Sequence, residues 1–186
     1  MNALVILSHP QEESFSHKIA DSLTTRLRNL NYQVILHDLY KENFDPILKA
    51  SEISSKFSFD LQVQKHMEEL SSSDIIIIVH PDWWGQPPAM LKGWIDRILR
   101  PGVAYEFEGN EYSNKKLVQL LSDKKALVFI TTDMNPDDDP GTLKSLWTRS
   151  VWNYCGICDV SVQIHYNTRE TGELDRKKWI DDILLL

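Results

Sequence analysis

The stretch Ile75-Ile76-Ile77-Ile78-Val79-His80-Pro81-Asp82-Trp83-Trp84-Gly85-Gln86-Pro87-Pro88-Ala89-Met90-Leu91-Lys92-Gly93-Trp94 decides how this chain folds. Its first five residues are all β-branched and show no polar alternation. A strand that apolar is covered on both faces, which places it at the centre of a parallel sheet. Ala89 to Leu99 reads as a helix, with Pro88 near its first position. Between strand and helix lies a proline-bracketed loop, Pro81 to Pro88, that carries two indoles. Fixed backbone N–H and C=O groups can bond the edge of a heterocycle, and Trp83 or Trp84 can lie against its face. Such a loop is a good seat for a flat aromatic cofactor. The alternative is a core or interface cluster, since Trp94 is close by.

Outward from this segment, strands and helices alternate. Asn2 to Ser8, Gln33 to Asp38, Lys125 to Thr131 and Val160 to Tyr166 read as further strands. Ser16 to Leu30, with Ile19, Leu23, Leu27 and Leu30 on one face, reads as a helix, as do Phe59 to Leu70, Leu143 to Cys155 and Glu173 to Leu186. A polar connection containing Asp45-Pro46 precedes the third of these elements' strands. Val103 to Tyr112 has Tyr105 and Phe107 in alternation and a Gly109-Asn110 turn, the pattern of a small hairpin. Repeats, low-complexity linkers and domain breaks are missing, so residues 1–186 read as one α/β domain. Five strands with intervening helices make a doubly wound sheet. A dinucleotide fold would want G-x-G-x-x-G after the first strand, which is absent, as is a Walker A loop. The flavodoxin-like five-stranded parallel sheet of order 2-1-3-4-5 fits instead. There the ligand sits at the carboxyl ends of strands 1 and 3, so the loops to inspect begin at His9, Pro81 and Thr131.

Bulk properties exclude several classes. A net charge of -7 argues against nucleic acid or an anionic membrane surface as main partner. The amino terminus lacks a basic region and a cleavage site, and no segment reaches membrane length, so a cytoplasmic protein is expected. Cys155 and Cys158 have C-x-x-C spacing, but lie where a Trp-rich helix ends before a strand; core packing is expected of them.

The first loop, Ser8-His9-Pro10-Gln11-Glu12-Glu13-Ser14-Phe15-Ser16-His17, leads into a helix amino terminus, whose free N–H groups bind phosphate. Ser14, Ser16 and His9 can add donors, or one serine merely caps the helix. Phe15 reads as a packing residue. In the third loop, Thr131 and Thr132 can bond the same ring from its other side. Asp133, Asn135 and Asp137 match the start of a calcium loop, but Asp138 stands where glycine is needed and Lys144 where glutamate is, so a solvated loop is expected. A receiver domain would need carboxylates where Ser8-His9 and His80-Pro81 stand, and G-x-S-x-G is missing. His17, His37 and His66 show no metal-ligand spacing, and no metal site is expected. Lys177, Lys178, Asp181 and Asp182 read as a wet helix face.

At these loops the chain resembles the flavodoxin-like NAD(P)H:quinone oxidoreductase family, in particular short bacterial members such as general stress protein 14 and the ancillary reductases of potassium-efflux systems. The shared motifs are Leu7-Ser8-His9-Pro10 with Ser14-Phe15-Ser16, then Pro81-Asp82-Trp83-Trp84 with Pro88-Ala89-Met90-Leu91-Lys92-Gly93-Trp94, then Thr131-Thr132 and Asn153-Tyr154-Cys155-Gly156. The resemblance implies a flavin, FMN or FAD. His9, Ser14, Phe15 and Ser16 would surround its phosphate. Pro81, Asp82, Trp83, Trp84 and Gly85 would line the isoalloxazine, and Thr131 and Thr132 would meet its other edge. It also implies a homodimer, which Trp94, Trp147 and Trp152 would suit.

Two departures stand out. Asp133-Met134 replaces the glycines common in the family, adding bulk and negative charge beside the ring. The tyrosine and histidine of larger animal members are unmatched. The expected activity is ping-pong, two-electron hydride transfer from NAD(P)H to a quinone or similar acceptor, with no catalytic side chain. FMN is expected over FAD because the chain is short. The rival is a regulatory or binding subunit, for example of a membrane transporter, that keeps the fold with weak or no flavin.

Overall fold

The computed structural model describes residues 1–53, 57–109 and 115–183. Along the chain run β1 (Asn2–Leu7), α1 (Phe15–Asn29), β2 (Gln33–Asp38), α2 (Ala50–Ile53), α3 (Leu61–Ser72), β3 (Ile75–Pro81) and α4 (Ala89–Ile98). Then follow β4 (Tyr105–Glu108), β5 (Lys116–Gln119), β6 (Lys125–Thr131), α5 (Thr142–Ser145), α6 (Asn153–Cys155), β7 (Asp159–His165) and α7 (Glu173–Asp182). The main sheet is parallel, in the order β2-β1-β3-β6-β7, which is 2-1-3-4-5 once the small hairpin is set aside.

Every residue of β3 is buried, as its composition demands. Strand residues alternate between two cores. Ile76, Ile78, Val128 and Ile130 pack with Trp94, Trp147 and Trp152 on one face; Ile77, Val79 and Phe129 pack with Ile19 and Leu23 of α1 on the other. Each fully buried aliphatic side chain contributes roughly 1.5–3 kcal/mol. The three tryptophans have no exposed surface, so they belong to the core and not to a subunit interface.

Several expectations need correction. Helix α3 starts at Leu61 because Asp60 caps it, accepting from the Gln62 and Val63 amides; Phe59 is exposed outside it. Between α5 and α6 the backbone is π-helical over Leu146–Trp152. Residues five apart would diverge by about 140° at 3.6 residues per turn. The wider turn instead stacks Trp147 on Trp152, with centroids 6.0 Å apart. The hairpin returns along Lys116–Gln119, pairing Glu108 with Lys116; the expected Gly109-Asn110 turn runs into residues 110–114, which lie outside the described residues. The closing helix, expected to run to Leu186, ends at Asp182, and residues 184–186 lie outside the described residues. Cys155 is buried, which pushes its thiol up to about 11, whereas Cys158 is exposed.

Helix α4 also clamps the polar connection after β2. A Cβ on Gly93 would sit 2.2 Å from the Pro46 carbonyl oxygen, so only glycine fits there. The buried Arg97 donates to the Asp45 carbonyl oxygen (2.7 Å), to both Glu52 carboxylate oxygens (3.0 and 2.9 Å) and to Asp60 (3.0 Å).

Candidate functional site

Parallel registers Leu7↔Val79 and Pro81↔Thr131 bring the carboxyl ends of β1, β3 and β6 to one edge. The backbone ladder continues past them: Ser8 N–H donates to Val79 O (3.0 Å), Asp82 N–H to Thr131 O (2.7 Å) and Thr132 N–H to His165 O (2.9 Å). A cleft of about 760 Å³ opens there. That is within the range of small-molecule sites. Its lining includes His9, Ser14, Phe15, Ser16, Pro81, Asp82, Trp83, Trp84, Thr131 and Thr132. Of the residues named from the sequence, Gly85 alone is not in the lining; its part is in the turn beneath.

The β1 loop supplies the donor end. Ser14 is the N-cap of α1, its Oγ accepting from the His17 amide, so capping holds. The Lys18 amide donates to Ser14 O. The Phe15 and Ser16 amides, in the first turn, have no intrahelical acceptor. They lie on the cleft wall, and capping and anion binding are therefore compatible here. Phe15 packs edge-on to His165 (4.8 Å) and is almost fully buried, as a packing residue should be. Burial lowers the His9 pKa, and His17 nearby lowers it further, so His9 offers hydrogen bonds and not a cation.

The β3 loop folds on itself. Trp83 and Gln86 exchange backbone bonds at 3.0 and 3.1 Å, and Trp84 and Gly85 between them have φ of +59° and +73°. Two positive φ values make a type I′ turn. A bulky residue there carries strain of about 1–2 kcal/mol. The turn holds the Trp84 indole entirely in solvent at the rim, while Trp83 leans toward His9 with centroids 6.4 Å apart. Beneath, Thr132 Oγ1 donates to Asp82 Oδ2 (2.9 Å) and accepts from the Met134 amide (3.1 Å). Asp82 Oδ1 is buried with no hydrogen-bond partner. A buried orphan acceptor costs about 1–3 kcal/mol, so it suits a ligand N–H. A heterocycle with an edge N–H and a phosphate tail therefore fits this donor and acceptor set.

A family model described as flavodoxin-like fold matches residues 1–184. The chain belongs to the flavodoxin-like family that contains NAD(P)H:quinone oxidoreductases. An uncharacterized NAD(P)H oxidoreductase of Haemophilus influenzae is 33% identical over 189 residues, spanning 97% of this chain and 91% of the relative. An FMN-dependent NADH:quinone oxidoreductase of Clostridium perfringens is 29% identical over 156 residues, 80% of this chain and 76% of the relative. The crystal structure of Smu.1420 from Streptococcus mutans superposes with a TM-score of 0.86 at 25% identity, covering 97% of this chain and 95% of that one.

For a member of this family the cleft also holds residues that the sequence reading missed. Arg169 and Arg176, after β7, are its cationic residues. The signal was available: β7 pairs with β6, so the loop after it must border the loop after β6. Asp133, the family departure, is drawn to Arg169, which donates its amide to Oδ1 (2.9 Å) and its Nε to Oδ2 (2.8 Å). The cleft remains open beside it.

The fold also assembles a cluster that spacing hid. His37 Nδ1 bonds Glu42 (2.8 Å) and its Nε2 bonds Glu69 (2.6 Å), while His66 Nε2 lies 3.4 Å from Glu42. Ligand atoms of His37, Glu42 and His66 lie close enough to suggest a metal. Two observations oppose that. The rings are stacked at 3.8 Å, so no ion can lie in both ring planes. Trp94 Nε1–H donates to His66 Nδ1 (2.9 Å), which puts the proton on Nε2, the atom a metal would need bare. The cluster instead shares protons. Burial opposes charge on His37, but bonds to Glu42 and Glu69 outweigh it and raise its pKa; burial likewise opposes charge on Glu42, yet His37 and His66 bring it down to about 2.

Proposed function

We propose that this chain is an FMN-dependent oxidoreductase that passes two electrons, as hydride, from NAD(P)H to a quinone or similar acceptor in ping-pong order. One observation carries the reading: a single cleft joins the free amides and hydroxyls of the α1 amino terminus to a loop with an unpartnered buried acceptor, Asp82 Oδ1. FMN would supply the redox chemistry when bound. The chain's own residues bind and orient. Ser14, Ser16 and the Phe15 and Ser16 amides would hold the phosphate, with Arg169 and Arg176 adding positive charge. The Pro81–Gly85 turn, Asp82, Thr131 and Thr132 would fix the ring edge, and Trp83 and Trp84 would flank the place where nicotinamide and quinone alternate. No side chain is assigned a proton-transfer step.

The curated relative from C. perfringens supports FMN, NADH and quinone by its name. Against the regulatory reading, the Asp133 charge is paired with Arg169. A homodimer remains part of the proposal, now resting on exposed apolar side chains such as Phe107 and Tyr154. No helix among the described residues is long and apolar enough to cross a membrane. The test is an absorption spectrum of the purified protein with added FMN, then NADH and NADPH oxidation with and without a simple quinone. Flavin uptake and quinone-dependent turnover are expected. A protein that takes up neither FMN nor FAD overturns the assignment.

A further inference from the structure

Behind the donor end of the cleft, three side chains form a chain of hydrogen bonds that the proposed chemistry leaves unused. Ser14 Oγ lies 2.8 Å from His17 Nδ1 and also accepts the His17 amide at 3.3 Å. His17 Nε2 lies 3.0 Å from Asp38 Oδ2. Asp38 Oδ1 is itself fixed by the Tyr40 and Lys41 amides, each at 3.2 Å. Asp38 ends β2, Ser14 caps α1 and His17 sits on the first turn of α1, so rigid elements hold all three.

A donor count follows. An ionised carboxylate only accepts, so His17 Nε2 carries a proton toward Asp38. The Ser14 hydroxyl has one hydrogen. With His17 neutral, that hydrogen goes to the bare Nδ1, and Ser14 shows an arriving anion only lone pairs. With His17 doubly protonated, Nδ1–H donates to Ser14 Oγ, and the hydroxyl hydrogen is released into the cleft. Ser14 can thus donate to a phosphate while keeping its bond to His17 only when His17 is a cation.

We propose that His17 is a positioning residue for the cofactor phosphate: docking of a phosphate monoester at Ser14 takes one proton from solvent onto His17, with Asp38 as its counter-ion. This rests on the FMN reading and deepens it. The charged groups around His17 are mostly acidic. His17 forms part of a second hollow of about 490 Å³ that shares no lining residue with the cleft, with Glu12 of the β1 loop, Asp21 of α1, and Asp38, Lys41 and Glu42 at and after β2. Four carboxylates there face a single lysine. On the cleft side His17 faces His9, whose ring is 6.3 Å away and whose pKa is lowered, chiefly by burial. The hollow also gives the imidazole a route to solvent protons that does not pass through the occupied cleft. A phosphate dianion, rather than the diester of a dinucleotide, gains most from this added charge.

The test uses the full chain stripped of cofactor, titrated with FMN and with riboflavin, which has the same ring but no phosphate. Affinity is followed by flavin fluorescence across neutral pH, and proton uptake by calorimetry in buffers of differing ionisation enthalpy. FMN affinity attributable to His17 should fall as pH rises, by up to about tenfold per pH unit. FMN's own phosphate ionises with a pKa near ~6 and has the opposite sign, so the wild type is read against variants. His17→Gln should take up fewer protons per FMN than wild type, by as much as one, and should flatten the pH slope. Riboflavin affinity should be the same in both. Asp38→Asn, which keeps an oxygen for the Tyr40 and Lys41 amides, should reproduce the loss and guards against a folding defect at His17. Equal proton uptake in wild type and both variants overturns the proposal while leaving the FMN reading intact. Failure of wild type to bind either flavin overturns both.

Discussion

The two loops that wall the cleft are built in opposite ways. The loop after β3 is self-contained: an I′ turn closed by two backbone bonds, bracketed by prolines and rooted in the buried His80. That histidine donates from Nδ1 to Pro81 O (2.8 Å) and accepts from Trp147 Nε1 (3.0 Å), so it stays neutral, and burial pushes its pKa down to about 4. The loop after β6 has one 3-10 turn of its own, over Pro136–Asp138, but is otherwise held by its neighbour. Asn167 and Thr168 amides donate to Met134 O and Thr132 O, Arg169 pairs with Asp133, and the Tyr166 hydroxyl donates to Asp139 (2.6 Å). Burial and the Asp139 charge raise that hydroxyl to about 12. One wall is written in its own residues. The other depends on the segment after β7. The Asp82 amide bond to Thr131 O and the side-chain bond from Thr132 to Asp82 join them.

The largest expected effect comes from breaking the root of the first wall with acid. His80 has a folded pKa of about 4 against 6.5 in the unfolded chain. As pH falls below 6.5 the unfolded state binds the proton first, so stability drops until pH reaches about 4. The full loss is about 3 kcal/mol. His80→Gln, which can still accept from Trp147, should lack this component, so chemical denaturation from pH 7 to 4 should give a flatter stability profile than wild type. An unchanged profile would mean that His80 is not held neutral.

Next in size is the joint between the walls. Thr132→Val keeps the shape but removes the only hydrogen bond to the Asp82 carboxylate among the described residues, and the acceptor for Met134. A bond to a charged group is worth about 1.5–3 kcal/mol. Urea unfolding should show a loss of that order, and Thr132→Ser should restore most of it. A harmless valine would show that Asp82 is solvated through some other route and that the backbone bond alone joins the walls.

The smallest change in stability is expected in the second wall. The Arg169–Asp133 pair is largely exposed, at 88% and 46% for the two side chains. Such pairs contribute about 0–1 kcal/mol. Arg169→Ala should therefore move Tm by less than about 4 °C. It frees the Asp133 charge in the cleft proposed to hold the flavin, so the flavin's midpoint potential should fall relative to wild type. A potential that stays put, measured by dye equilibration, would place Asp133 outside the field of the ring.

These contrasts explain what was legible. The apolar run Ile75–Val79 announced a central strand because burial on both faces leaves no room for polar alternation. Five strands without a dinucleotide fingerprint or Walker A loop then pointed to the order 2-1-3-4-5, which located the cleft. Ser14, the Pro81 loop and Thr131–Thr132 were readable because each lies immediately after a strand, where the topology directs ligands. Arg169 and Arg176 were missed because the third wall-forming segment matters only through its packing on β6. The tryptophans were assigned to an interface because composition cannot tell a buried indole from a partnered one, and the π-helical turn that stacks Trp147 on Trp152 has no periodic signature. The His37–Glu42–His66 cluster was invisible because its members come from a strand, a connection and a helix.

By itself the sequence determined the doubly wound sheet, the carboxyl edge as the place of function and most of the residues that line the cleft, since these follow from local hydrophobic pattern and from short-range chain geometry. The tertiary structure decided charge and protonation: which carboxylate meets which cation, which histidine is buried neutral and which stands beside an aspartate. Those depend on distances of a few ångströms between residues far apart in the chain, and electrostatic energy varies steeply over that range.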